Sequence, residues 1–253
     1  MKFNQMRNLV VTGLMIFGML FSSWVLASPK LDNFVKQTYI HGVPFQQARA
    51  LGPGAVPKLI KMLSNKRYEK HWANVVVTLG FIGDNRAVDP MIKFITQSRA
   101  ATISQNNIVA KRSAVMSLGY IVNKTGNKKA FDFLAKSLEP NIWRTRKVTW
   151  RTRLIKPGVR DKSLTKMAVL GLAVTGKKEA ADVLKKFKLS AKYKNNKTLY
   201  IKNMPQIIDS SIQEHKSIKS QGLLKYYNKV QLIKPQAVPR RVQPTRPQVT
   251  PVR

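Results

Sequence analysis

The hydrophobic positions of the chain repeat in four units. In each unit, apolar residues occupy the first, second, fifth, sixth and ninth positions of a segment, a spacing that places them on one face of a helix. The aligned segments begin at Ala55, Ala87, Ala130 and Ala180. The fourth copy is weaker, because Lys185 and Lys188 take two of the apolar places and Phe187 substitutes for them.

A second apolar stretch precedes each of these helices and contains a Leu-Gly pair at its end. The pairs are Leu51-Gly52, Leu79-Gly80, Leu118-Gly119 and Leu170-Gly171. Each unit is therefore predicted to be two antiparallel helices. In three units a glycine (Gly83, Gly126 or Gly176) stands four residues before the second helix, where a tight turn can use positive φ. Asp84 is placed to cap the helix that follows Gly83.

The segment from Leu79 to Pro90, LGFIGDNRAVDP, resembles a HEAT-like repeat of the bacterial phycobilisome-lyase type. Gly83, Asp84 and Arg86 are the structural residues of this motif, and the later copies lack the Asp and Arg. The resemblance covers roughly residues 45 to 190. It implies an all-α fold, an α-α superhelix or HEAT-like solenoid, whose concave surface recognises other macromolecules. Some proteins with such repeats are lyases or lyase-like, so a lyase-like enzyme is a remote alternative.

The predicted organisation has four parts. A signal peptide covers residues 1–27, and the repeat domain covers 28–190 with a basic insert at 139–162. A helical C-terminal cap spans 191–233, with Pro205 starting one helix and Leu223 lying in the next. Residues 234–253 hold five prolines and five basic residues without an acid, which predicts a disordered basic tail.

The N-terminal segment has the composition of an export signal. Lys2 and Arg7 precede an uncharged run from Leu9 to Ala27, which ends in Val-Leu-Ala. Cleavage after Ala27 predicts a periplasmic or secreted protein; the alternative is an inner-membrane anchor formed by residues 9–27. The chain has no cysteine, which excludes a disulfide framework, a thiolate metal site and a cysteine nucleophile.

The charge of the chain is strongly positive. The formal net charge is +35. Only two of these charges, Lys2 and Arg7, belong to the predicted signal. Such a field attracts anionic partners, including a membrane surface, but does not determine the fold.

The insert is the candidate binding segment. Between Pro140 and Arg160 it carries seven basic residues, two tryptophans and no acid. Guanidinium groups beside indole rings can bind phosphate or carboxylate and stack on a base or a sugar. The predicted anionic-ligand residues are Trp143, Arg144, Arg146, Lys147, Trp150, Arg151 and Arg153. In the alternative, the tryptophans pack the insert onto Phe131 and Phe133. Residues 148–153 have strand-like composition and allow a short hairpin.

Catalytic chemistry has little support in the sequence. His41, His71 and His215 lie far apart, and the eleven acidic residues are scattered singly. We therefore predict no catalytic residue, no metal site and no cofactor. The predicted function is an exported scaffold that mediates protein–protein interaction in the cell envelope. The alternative is a binder of anionic polymers, either lipopolysaccharide or nucleic acid.

Overall fold

The described part of the chain is all-helical. The computed structural model describes residues 28–40, 42–97, 100, 102–139, 141–146, 148, 156–190 and 203–232. Over these residues the regular secondary structure consists of α-helices and three 3-10 helices. The predicted signal or anchor, the basic tail and most of the possible hairpin in the insert lie outside the described residues.

Twelve α-helices make up this part. They are α1 (Ser28–Lys36), α2 (Phe45–Ala50), α3 (Val56–Ser64), α4 (Trp72–Ile82), α5 (Val88–Thr96), α6 (Gln105–Thr125), α7 (Lys128–Lys136), α8 (Ile142–Thr145), α9 (Pro157–Val174), α10 (Lys178–Leu189), α11 (Met204–Gln221) and α12 (Leu223–Leu232). The 3-10 helices are Pro53–Ala55, Lys66–His71 and Asn85–Ala87.

The helices contact one another largely in chain order. Helices α2, α4, α6 and α9 form a first row in which each contacts the next, and α11 packs against α9. Each is followed by a second-row helix, and these helices are α3, α5, α7 and α10. The main core lies between the rows, and it includes Leu59, Met91, Leu134 and Leu184, one residue from each second-row helix. These are the fifth positions of the four aligned units.

The Leu-Gly pairs do not end their helices in three of the four units. Helices α4, α6 and α9 all continue past the pair. The glycines instead lie where neighbouring first-row helices touch. A Cβ added to Gly80 would lie 2.8 Å from the Cβ of Ser117, and one added to Gly119 would lie 2.0 Å from the carbonyl oxygen of Gly171. The glycines thus permit close approach of the helix backbones.

The turns inside the units have the predicted conformation. Gly83, Gly126 and Gly176 have φ values of 62°, 69° and 64°, in the left-handed region. Asp84 accepts a hydrogen bond from the backbone N–H of Arg86, which confirms its capping role. The Arg86 side chain donates to the Asp84 carboxylate and holds the pKa of that group below its usual value.

Basic side chains connect each turn to the previous one. The Nη2 of Arg86 donates to the carbonyl oxygen of Pro53 at 2.8 Å. Although the later units lack the Asp and Arg pair, lysines make comparable links. The Nζ of Lys124 donates to the Ile82 carbonyl at 2.6 Å, and that of Lys177 donates to the Gly126 carbonyl at 3.0 Å. Both carbonyls lie at helix ends, where backbone acceptors lack intrahelical partners.

The two helices expected after Leu189 are both present. Pro205 lies in the first turn of α11, a position that does not require a backbone donor. Helix α11 contacts α9 and α10 and lies at the end of the rows. Across the described residues, no helix combines the length and the apolar character needed to cross a bilayer.

Candidate functional site: the front face and the basic insert

A second hydrophobic cluster lies on the face of the first-row helices opposite the main core, which we call the front face. On α4, α6 and α9 its members stand two positions after a core leucine, and two positions are about 200° around a helix. Phe45 of α2, Phe81 of α4 and Tyr120 of α6 are buried there, together with Val174 of α9. The rings of Phe45 and Phe81 meet edge to face with centroids 4.8 Å apart, and those of Phe81 and Tyr120 at 4.7 Å. Successive first-row helices therefore contribute to one continuous apolar pocket.

Tyr227 of α12 fills this pocket. Its ring stacks on Phe45 at 4.9 Å and meets the edge of Phe81 at 5.7 Å. Its hydroxyl shares a hydrogen bond with the hydroxyl of Tyr120. Burial raises the pKa values of both tyrosines, so both hydroxyls remain protonated at neutral pH. Phe45 and Phe81 thus contact the aromatic ring of Tyr227, and Tyr120 contacts its hydroxyl.

Further contacts hold α12 across the front face. Leu223 is buried, and the amide of Gln46 donates to the side-chain oxygen of Asn228 at 2.7 Å. Tyr226 forms a hydrogen bond with Glu214 of α11. Burial raises the pKa of Glu214, although this hydrogen bond acts in the opposite direction. Both apolar packing and polar hydrogen bonds therefore hold α12 on the front face.

The sequence interpretation did not identify this pocket. Phe81 and Tyr120 each directly follow a Leu-Gly pair, so an aromatic residue recurs at an equivalent position of two units. This recurrence was the available signal. It gave no information on Phe45 or Tyr227, because both reach the pocket through contacts between distant parts of the chain.

The structure corrects the role predicted for Trp143. Only 1% of this side chain is exposed, and its Nε1 donates to the hydroxyl of Thr165 at 3.1 Å. The indole meets Phe133 edge to face, with centroids 6.1 Å apart. Trp143 cannot offer a ring face to a ligand, because the ring is part of the core. For this residue the alternative, packing of the insert onto Phe133, is confirmed.

Arg146 also turns inward, contrary to its predicted contact with a ligand. Its guanidinium lies 3.8 Å from the centroid of the Phe133 ring and donates to the Ser137 hydroxyl and to the Phe133 carbonyl. These contacts close the C-terminal end of α7. Burial lowers the pKa of Arg146 to about 10, and the charge of Glu139 partly opposes this effect.

The remaining residues of the predicted site divide into two groups. Arg144 is exposed and is the one described member that can meet a ligand. Lys147, Trp150, Arg151 and Arg153 lie outside the described residues. Val148 is buried, and its carbonyl accepts a hydrogen bond from Arg160 at 2.9 Å. The first half of the insert is thus anchored to α9, and the second half stays a prediction as an anionic-ligand site.

Acidic side chains offset little of the positive charge. In the described residues, six of the eleven acids pair with a basic side chain within 4 Å. The chain has 46 lysines and arginines against eleven acids, so its basic residues far outnumber the acids available to pair with them. The surface therefore retains a positive potential that attracts anions.

Comparisons with known proteins found no relative of this chain. No protein-family model matches the chain, and no curated protein or solved structure matches it either. The resemblance to HEAT-like repeats therefore depends on the segment from Leu79 to Pro90 and on the four aligned units.

Proposed function

We propose that this protein is an exported HEAT-like repeat scaffold that binds a protein partner in the cell envelope. In this proposal the two rows of helices are part of an α-α superhelix, and the front face is its recognition surface. The chain-order contacts of α4, α6 and α9 support this arrangement. Repeat arrays of this kind present extended surfaces suited to macromolecular partners.

The observation that carries the proposal is the docking of α12 on the front face. An amphipathic helix that lays aromatic side chains into a groove is a common mode of peptide recognition. The front face already binds one such helix from the same chain, through Tyr227 and the pocket of Phe45, Phe81 and Tyr120. This supports a partner segment that is itself helical and carries apolar or aromatic anchors.

Exposed apolar residues extend the candidate surface beyond α12. Val109 of α6 is 41% exposed and Val159 of α9 is 54% exposed. Helices α6 and α9 run in parallel, because Asn123 bonds to the carbonyl of Thr175 and Gly119 touches Gly171. The same register puts the start of α9, with Val159, beside the start of α6, with Val109. Two apolar side chains beside polar ones are suited to a partner interface.

The test is capture of partners from the native envelope at low and high salt. Wild type is compared with Val109→Glu combined with Val159→Glu, and with Leu189→Glu, a control at a residue that is 74% exposed on a second-row helix. We expect a partner retained at high salt to be lost with the double variant and kept with the control. Equal capture by all three proteins would refute the front face as the binding surface.

A second candidate function is binding of anionic polymers, such as lipopolysaccharide or nucleic acid. The excess of basic over acidic residues supports it. Binding of this kind weakens steeply as salt rises, because it is driven by release of counterions. Loss of all partners at high salt would therefore favour this candidate over the protein scaffold.

Export is part of the same proposal and has its own test. Cleavage after Ala27 would give a protein that begins at Ser28 and is released with the periplasmic contents. N-terminal sequencing of the protein from fractionated cells distinguishes this from a membrane-bound form that retains residues 9–27 as an anchor.

A further inference from the structure

A lysine occupies the same position in every aligned unit. Six positions after the aligned alanine, each second-row helix has a lysine in its last turn. The four residues, which we call the lysine row, are Lys61, Lys93, Lys136 and Lys186. All four are exposed. The repetition extends to the fourth unit, in which two of the apolar positions are lost.

Helix geometry directs these lysines away from the core. At about 3.6 residues per turn, the seventh position of a unit lies roughly opposite the fifth and the ninth. The fifth positions are buried in all four helices, so the lysine row follows the middle of the surface that the second row presents to solvent. This surface is on the other side of the molecule from the pocket that holds Tyr227.

Side-chain contacts link the starts of neighbouring second-row helices. Lys129, at the start of α7, pairs with Asp89 of α5 at 2.7 Å. Arg86 and Lys177 link the other neighbouring turns. Because the units follow one another in chain order, the four lysines also follow that order along the second row.

The few acidic residues near the lysine row do not form ion pairs with it. Asp89, Asp132 and Asp182 stand four positions before a lysine of the row, a spacing that allows intrahelical ion pairs. Asp89 instead pairs with Lys129, and Asp132 with Lys128. Within the described residues, none of the six ion pairs includes a lysine of the row. A favourable interaction with the helix dipole explains a lysine in a last turn, but it does not require the same position in all four helices.

We propose that the lysine row binds a linear polymer of phosphate groups along the second-row helices. Lysine ammonium groups are compact point charges that bind phosphate without selecting one orientation. A row of them, one in each unit, fits a repeating anionic backbone and gives little sequence preference. This inference concerns the surface opposite the front face and does not depend on whether the front face binds a protein.

The experiment compares two variants with the same loss of charge. The first changes Lys61, Lys93, Lys136 and Lys186 to Gln. The matched control changes Lys66, Lys70, Lys216 and Lys225, four exposed lysines outside the row, to Gln. Both keep the insert and the basic tail, so these contribute equally. Circular dichroism and thermal unfolding establish that both variants fold as wild type does.

The binding measurement uses a labelled single-stranded thymidine oligonucleotide and inorganic polyphosphate over a range of salt concentrations. For single strands, the slope of log K against log salt is about −0.7 per neutralised phosphate, so loss of the row should reduce its magnitude by about 3. We expect the control to reduce it by less than half as much. The polymer that binds more tightly per phosphate identifies the source of the phosphate chain.

Three results would overturn the proposal. Equal losses in the two variants would show that binding follows overall charge and not the row. Binding of wild type to vesicles of anionic phospholipid, with no binding to either polymer, would identify a membrane surface as the partner. Absence of binding to both polymers at low salt would also reject it.

Discussion

The ring of Tyr227 stacks on the ring of Phe45 with centroids 4.9 Å apart and planes inclined by only 10°. The contact joins the last described helix to the first helix of the first row. Because α11 packs on α9 at the other end, the C-terminal segment connects both ends of the rows across the front face. The stability of α12 docking therefore depends on residues from nearly the whole described chain.

We expect Tyr227→Ala to release α12. The change removes a large ring from the pocket of Phe45, Phe81 and Tyr120 and should lower the free energy of unfolding by about 2–4 kcal/mol. Hydrogen exchange should then show faster exchange of the α12 amides than of the α6 amides. Leu224→Ala, at a residue of the same helix that is 46% exposed, is the control and should change stability by less than about 0.5 kcal/mol. Unchanged protection of α12 in Tyr227→Ala would contradict this account.

Gly119→Ala should be among the most destabilising single-methyl changes in the protein. The new Cβ would lie 2.0 Å from the Gly171 carbonyl oxygen and 2.7 Å from a methyl of Val174, so α6 and α9 must separate. We expect a loss of about 3 kcal/mol or more in urea unfolding, at the upper end for an overpacked site. Gly158→Ala in α9 meets no atom within 4 Å and should instead stabilise the protein by about 0.5–1 kcal/mol. Similar urea midpoints for the two variants would show that α6 and α9 can move apart without loss of stability.

The parts of the fold that the sequence predicted are those set by local periodicity. The second-row helices follow from apolar spacing, and the turns follow from Gly83, Gly126 and Gly176, since positive φ strongly favours glycine. The role of the glycine in each Leu-Gly pair was not predicted. A Leu-Gly pair has the same local appearance whether the glycine ends a helix or faces another one, and only the packing of Gly119 on Gly171 distinguishes the two.

The candidate site was less predictable because its members meet through tertiary contacts. Trp143 and Arg146 belong to a basic, tryptophan-containing segment, and this composition is compatible with either a ligand site or an anchor. The contacts with Phe133 and Thr165 decide for the anchor. The pairing of Tyr227 with Phe45 depends on the path of α12, which no repeat pattern specifies.

Lys111 should make stability depend on pH in the alkaline range. Its Nζ is buried among the carbonyl oxygens of Phe94, Ile95 and Gln97 at the end of α5. Burial lowers its pKa to about 7 in the folded protein, whereas a lysine in the unfolded chain has a pKa of about 10.4. Between these values the unfolded chain binds more protons, so the contribution of Lys111 to stability rises with pH.

The comparison is with Lys111→Met, which removes the titrating group and retains most of the volume. We expect the stability of wild type relative to this variant to rise between about pH 7 and pH 10, and to change little between about pH 5 and pH 6.5. Urea unfolding at each pH measures the difference. A difference that is flat across the alkaline range would show that the three carbonyl oxygens keep the folded-state pKa near its ordinary value.

Trp143 and Arg144 are neighbours in the insert but should respond to substitution in different ways. Trp143→Ala leaves a cavity beside Phe133 and removes the donor to Thr165, so we expect a loss of about 3–5 kcal/mol in the free energy of unfolding. Arg144→Ala affects an exposed side chain and should change it by less than about 0.5 kcal/mol. A binding defect in Trp143→Ala would therefore reflect partial unfolding, whereas one in Arg144→Ala would report contact with a ligand. Chemical denaturation of both variants, measured before any binding assay, checks the assignment. A Trp143→Ala protein as stable as wild type would return the indole to the list of candidate ligand contacts.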